Sequence, residues 1–169
     1  MRISAKGCGV NRTPSKVVQM SFPLPLPMRR ALDLATEAAR DGEVPVGAVI
    51  VHAGKIIGEG ANRTRRDLDP TAHAEIVAIR AACAALGSDR LTGCELWVTL
   101  EPYAMCAGAI AHARLDRLVY AAPDAKGGGV DHGARVFAQS TCHHHPDVLG
   151  GVGESVAAAL LKDFFASLR

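Results

Sequence analysis

The stretch "LWVTLEPYAMCAGAI", Leu96 to Ile110, changes character halfway. Its first half is a short apolar run and its second half carries apolar residues at helical spacing. It reads as a strand over Glu95–Thr99 followed by a helix over Pro102–His112. Pro102 takes the first helical position, where its missing N–H does no harm. Tyr103 and Cys106 are three residues apart and so share a helix face. Two cysteines at that spacing would aim two thiolates at one point; this chain has a tyrosine at the first position.

Working outward, a helix is predicted over Met28–Arg40, stopped by Asp41-Gly42. "VPVGAVIV", Val44 to Val51, reads as a buried strand, and "KIIGEGAN" returns from a turn at Ala53-Gly54 as a second. A polar loop over Arg63–Pro70 leads into a helix over Thr71–Leu86, closed by Gly87. Leu118–Ala122 is a fourth strand. A long Gly-rich loop, "DAKGGGVDHGARVF", follows, then a short fifth strand in "DVLGGV". Glu154–Leu168 closes the chain as a helix whose apolar face includes Val156, Leu160, Leu161, Phe164 and Phe165. This order predicts an α/β fold: a three-layer α/β/α sandwich on a mixed five-stranded sheet, parallel across its strand–helix–strand crossovers and antiparallel in the opening hairpin.

The 169 residues suit one domain over 28–169, preceded by a disordered tail over 1–27. Met20 and Met28 are further candidate start sites within that reading. The net charge of +2 is uneven. Arg2, Lys6, Arg12 and Lys16 sit in the tail without an acid, and the remainder holds 15 basic and 17 acidic residues. The folded part therefore lacks a bulk basic footprint, and any nucleic-acid site must be local. Five cysteines, an odd number, with no secretory signal argue against a disulfide framework and for a cytoplasmic protein. No apolar run is long enough to span a membrane.

Chemistry concentrates in two segments. "DPTAHAEIVAIR" puts His73 and Glu75 in the first turn of one helix, and "TLEPYAMC" puts Cys106 in the first turn of another. Both helices follow strands, so both N-termini can meet at the sheet edge where open α/β sheets place ligands. A helix N-terminus lowers a thiol's pKa, and imidazole and thiolate are proper zinc ligands. Glu75, two positions from His73, does not share its helix face, which suits a carboxylate working beside a metal. Arg63, Arg65 and Arg66 form a basic cluster next to Asn62. It is either a solvated loop or a phosphate contact. His143, His144 and His145 read as a solvated loop run.

"HAEI" followed by "TLEP-x-AMCAGAI" resembles the H-x-E … P-C-x-x-C signature of the cytidine/deoxycytidylate deaminase superfamily. "GEVPVGAVIV", "GANRTRRDLDPTAHAEI", "LWVTLEP", "MCAGAIAHARLDRLVY", "DAKGGG" and "LLKDFF" are similar to its bacterial tRNA-acting adenosine deaminases. The resemblance covers about residues 28–169. It implies Zn2+ held by one histidine and two cysteines, with a water activated by the metal. It implies hydrolysis of the wobble adenosine of tRNA to inosine, with Glu75 shuttling the proton. His73 and Cys106 would be metal ligands, and Tyr103 stands at the third ligand position. A phenol there is several bonds longer than a thiol, and its pKa of about 10 must fall far before it coordinates. By the same resemblance Asn62 would contact the base, Glu101 and Pro102 would shape the site, Asp124 would lie in a substrate-facing loop, and Phe164 and Phe165 would help hold the anticodon nucleotides. A homodimer and a tRNA anticodon loop would be the partners, with no membrane. Two other readings stay open: a non-catalytic fold-mate that binds RNA or pairs with an active subunit, motivated by Tyr103, and a deaminase of a free base such as guanine or cytosine, against which the Arg63–Arg66 cluster and the "DFF" tail argue.

Overall fold

A computed structural model describes residues 23–168. The basic residues and start sites expected within residues 1–22 lie outside the described residues. The first helix, α1 (Leu26–Arg40), opens two residues before the expected Met28. The prolines read as tail are its start: Pro25 is the N-cap with φ −53°, and Pro27 lies in the first turn, which needs no N–H donor. Leu24 ahead of it packs against the core.

Strands β1 (Gly47–His52) and β2 (Lys55–Ala61) form the expected hairpin. Its turn residues Ala53 and Gly54 both have positive φ, 48° and 76°, the conformation that matches strand twist in two-residue hairpins. Helix α2 (Ala74–Leu86) ends at Gly87, whose left-handed φ of 62° returns its N–H to Ala84. Strand β3 (Cys94–Leu100), helix α3 (Ala104–Ala113) and strand β4 (Arg117–Ala122) follow, then β5 (Asp147–Leu149) and α4 (Glu154–Ser167).

The sheet order is β2-β1-β3-β4-β5. The mixed five-stranded sheet is as expected, with one difference in its first crossover. β3 lies beside β1 and antiparallel to it, so there are two antiparallel pairs; β3, β4 and β5 are parallel. The chain leaving β2 through α2 passes over β1 before re-entering the sheet.

Alternation along the central strands makes the three layers. Ala48, Ile50, Leu96, Val98 and Leu118 face α2 and α3. Val119 and Ala121 face α1 and α4, and Val49 and Val51 face α1. Helices cover both faces, which is why these strands read as continuous apolar runs. On α4 only Ala157 is buried; Val156 and Phe165 are about half exposed.

Three strand glycines, Gly47, Gly58 and Gly60, let helices settle directly on the hairpin. A Cβ at Gly47 would meet the Ala31 carbonyl at 2.0 Å, and one at Gly60 would meet the Ala74 carbonyl at 2.1 Å. Gly60→Ala therefore has to lift the first turn of α2, which carries Glu75. It is expected to cost about 3 kcal/mol, read from the denaturant midpoint.

Candidate active site

The expected helix starts shift by a residue or more, and the shift brings the donors together. His73 is the N-cap of α2 with extended backbone, φ −70° and ψ 153°, rather than a first-turn residue. The rule that i and i+2 diverge holds only inside a helix. With His73 just outside, its ring turns back beside Glu75. Tyr103, not Pro102, is adjacent to α3, as its N-cap with φ −69° and ψ 167°. Cys106 points inward from the first turn.

One ligand atom each of His73, Glu75 and Cys106 lies within 4.8 Å of the other two. Cys106 is fully buried and Glu75 is 4% exposed. Burial pushes the Glu75 carboxyl up to about 7, partly offset by its own backbone N–H and the Cys106 thiol. Burial, then the Glu75 carboxylate, pushes the Cys106 thiol up; burial alone pushes His73 down. An imidazole, a carboxylate and a thiol converging out of water are donors that zinc accepts, and a cation between them would offset the burial that opposes their ionisation. This donor set fits the metal.

His73 and Glu75 face a cavity of about 210 Å³, walled also by Val44, Val46, Asn62, Thr64, Leu100, Glu101 and Tyr103, with Cys106 buried behind them. Asn62 is buried and its backbone N–H donates to Val46, which leaves the amide side chain on the cavity wall.

Tyr103 does not replace the absent thiol. Its ring meets the His73 ring edge-on at 5.8 Å between centroids, and its phenol end lies over Gly127. Burial, then the Asp124 carboxylate, pushes the phenol up, away from phenolate.

The other expected site residues separate. Pro102 is buried and holds the Gly-rich loop through its carbonyl, which accepts from Gly129 at 2.8 Å. Asp124 caps that loop: its Oδ1 accepts from the N–H groups of Lys126 and Gly127, each at 2.9 Å, so its carboxylate faces the loop and Tyr103 and not the cavity. Arg63 and Arg66 both pair with Asp67 and line a separate groove that contains Glu37, Asp41 and Glu59. Arg65 donates to the Gly42 carbonyl at 3.4 Å. Phe164 and Phe165 form a T-shaped pair on α4 and do not line the cavity.

Glu43 is a residue that the sequence reading misses. It is 2% exposed, and its carboxylate accepts from the N–H groups of Arg65 at 2.9 Å and Arg66 at 2.8 Å. It fixes the 63–66 loop beside Asn62. An acid directly before a buried apolar run was the available signal. Glu101 is a second hub. Its buried carboxylate accepts from the N–H groups of Asp124, Val130, Asp131 and His132, at 2.9 to 3.2 Å, and pairs with His132 Nδ1 at 2.7 Å.

Residues 26–122 match the family model described as the cytidine and deoxycytidylate deaminase zinc-binding region. The chain belongs to this deaminase family. Within it, the chain is 54% identical over 142 residues to a tRNA-specific adenosine deaminase of Agrobacterium fabrum, covering 84% of this chain and 93% of that one. It is similar to a solved structure from work on A-to-I editing by tRNA:A34 deaminases at the wobble position of transfer RNA. That likeness has a TM-score of 0.79 at 54% identity, over 80% of this chain and 98% of that chain. A guanine deaminase from Nitrosomonas europaea shares the deaminase fold at TM-score 0.73 and 26% identity, over 83% of each chain.

Proposed function

We propose that this chain hydrolyses the wobble adenosine of tRNA to inosine. The carrying observation is the His73–Glu75–Cys106 cluster at the cavity, on a frame 54% identical to a tRNA:A34 deaminase. Water adds at C6 of the adenine, the exocyclic amine leaves as ammonia, and inosine remains. Zinc, when bound, supplies Lewis-acid activation of the attacking water.

The protein's own groups do the rest. Glu75 takes a proton from the water on its carboxylate and hands it to the ring nitrogen. The Glu75 carboxylate is buried beside His73 and Cys106, where it can be held within reach of the proton that it moves. Asn62 offers an amide donor and acceptor to the base edge. Leu100, Val44 and Val46 exclude bulk water. An anticodon loop presents its base already unstacked, which lowers the cost of inserting it into so small a cavity.

A homodimer with a cytoplasmic location fits the same reading. Exposed Tyr103 at the cavity, Met105 on α3 and Phe165 on α4 support contact with a second chain or RNA. No helix among the described residues is long and apolar enough to cross a membrane.

The test is inosine formation in an anticodon stem-loop carrying adenosine at the wobble position. The parent chain should convert it. Glu75→Ala should lose at least about 10²-fold in rate, the lower bound for a positioned proton carrier. A parent that binds the RNA but releases no ammonia would place the chain among non-catalytic fold-mates.

A further inference from the structure

We infer that Glu75 supplies the third protein ligand to the zinc of this chain, in place of the absent second thiolate, and so must leave the metal before it can carry a proton. The inference deepens the deaminase reading and rests on it.

Catalytic zinc takes three protein ligands and leaves one position open. His73 and Cys106 supply two. Tyr103, at the N-cap of α3, occupies the place from which the third would come, and its geometry aims it elsewhere. A Cβ built on Gly127 would fall 2.6 Å from Tyr103 Cζ and 2.8 Å from its Oη, so the phenol end sits flat on that glycine. Backbone bridging between Tyr103 and Gly128 holds the N-cap of α3 against the Gly-rich loop. The phenol oxygen is thereby committed to the Gly-rich loop.

Among the described residues, the other cysteines and the histidine run do not join the cluster. Cys94 begins β3, about 20 Å from the Leu100 end at the usual strand rise. Cys142, His143 and His144 line a different cavity with Ala111 and His112. Among the described residues, His73, Glu75 and Cys106 are the sole His/Cys/Asp/Glu group of three whose donors converge. Glu75 is already there, buried, with its carboxylate on the Cys106 side of the cluster and no cationic side chain to satisfy it. Zinc bound at this point meets a nitrogen, an oxygen and a sulfur.

The consequence is a competition. One carboxylate serves as ligand in the resting site and as proton carrier in the reaction. In a site with two thiolates the carboxylate would be free for the second task alone.

The experiment uses the full chain, stripped of metal and reloaded with one equivalent of Zn2+, and read by X-ray absorption at the zinc edge. The parent should show one sulfur, with the other near ligands nitrogen and oxygen. Glu75→Gln, which keeps the side chain's shape, should bind zinc at least ten-fold more weakly in a competition with a chromophoric chelator. Tyr103→Cys should show two sulfurs, and in that background Glu75→Gln should keep its zinc. Tyr103→Phe should bind zinc like the parent. Two sulfurs in the parent would overturn the inference, as would zinc held equally by the parent and Glu75→Gln. Loss of zinc in Tyr103→Phe would overturn it too, by making the phenol a ligand. If the one-sulfur site is confirmed but no inosine forms, the RNA reading fails and this assignment survives. If inosine forms while zinc is indifferent to Glu75, the reverse holds.

Discussion

Tyr103→Cys is expected to raise the rate of inosine formation by about 10²-fold or more, the contribution typical of a freely available general acid–base. In the parent, Glu75 is divided between metal and proton. A thiolate at position 103 takes over the ligand position, because the side chain there already projects toward His73, whose ring it meets edge-on. The substitution costs little elsewhere. Tyr103 is 40% exposed, its side chain makes an edge contact with His73, and its backbone, not its ring, forms the bridge to Gly128. The measurement is single-turnover conversion of the stem-loop with zinc-loaded parent and variant side by side. Equal rates would mean that Glu75 is not held back in the parent.

Glu101→Leu is expected to destabilise the protein by roughly 3–5 kcal/mol, the range for removing one partner from a buried charged network. The Glu101 side chain has no exposed surface, and the loop from Asp124 to His132 is folded around it. Leucine leaves four backbone N–H groups facing a hydrocarbon side chain. Such unsatisfied donors are costly in a buried setting. The same network predicts a pH dependence. Burial pushes the Glu101 carboxyl up, but the N–H groups of Asp124 and His132, the His132 ring and the N–H of Asp131 outweigh it and hold it below its ordinary value of 4.5. A carboxylate with a depressed folded-state pKa stabilises fully above its unfolded value and loses that stabilisation as pH falls through the folded one. Resistance to denaturant should therefore fall below pH 4.5 in the parent, and less so in Glu101→Gln. A parent and variant with parallel pH profiles would contradict the network's role.

The legible and illegible parts of this fold divide along physical lines. The apolar runs over Val44–Val51 and Leu118–Ala122 announce strands buried on both faces, and helices do cover both. The Ala53-Gly54 turn and the Gly87 stop are local chemistry, visible in two residues each. The antiparallel placement of β3 beside β1 is long-range, decided by packing that no short segment contains. The site divides likewise. His73, Glu75 and Cys106 stand in recognisable positions, and the structure brings them together. Their convergence depends on His73 lying one residue outside α2, a distinction finer than sequence boundaries resolve. The resemblance puts Asp124 in a substrate-facing loop, and Arg63 and Arg66 read as either a solvated loop or a phosphate contact. The structure gives each an intramolecular partner that the sequence does not announce: N–H groups for Asp124, and Asp67 for both arginines. Glu43 escapes the sequence reading, and the part Glu101 plays as a loop hub is not visible in it, since both act by accepting backbone N–H groups from loops about 20 to 30 residues away.

The most direct test is the zinc-loaded full chain offered two substrates in parallel: a tRNA with adenosine at the wobble position, and free guanine. Inosine at that single position with matching ammonia release, and none from guanine, is the result this structure predicts. Ammonia from guanine with the tRNA unchanged would contradict it, and would move the chain to the free-base deaminases that share its fold.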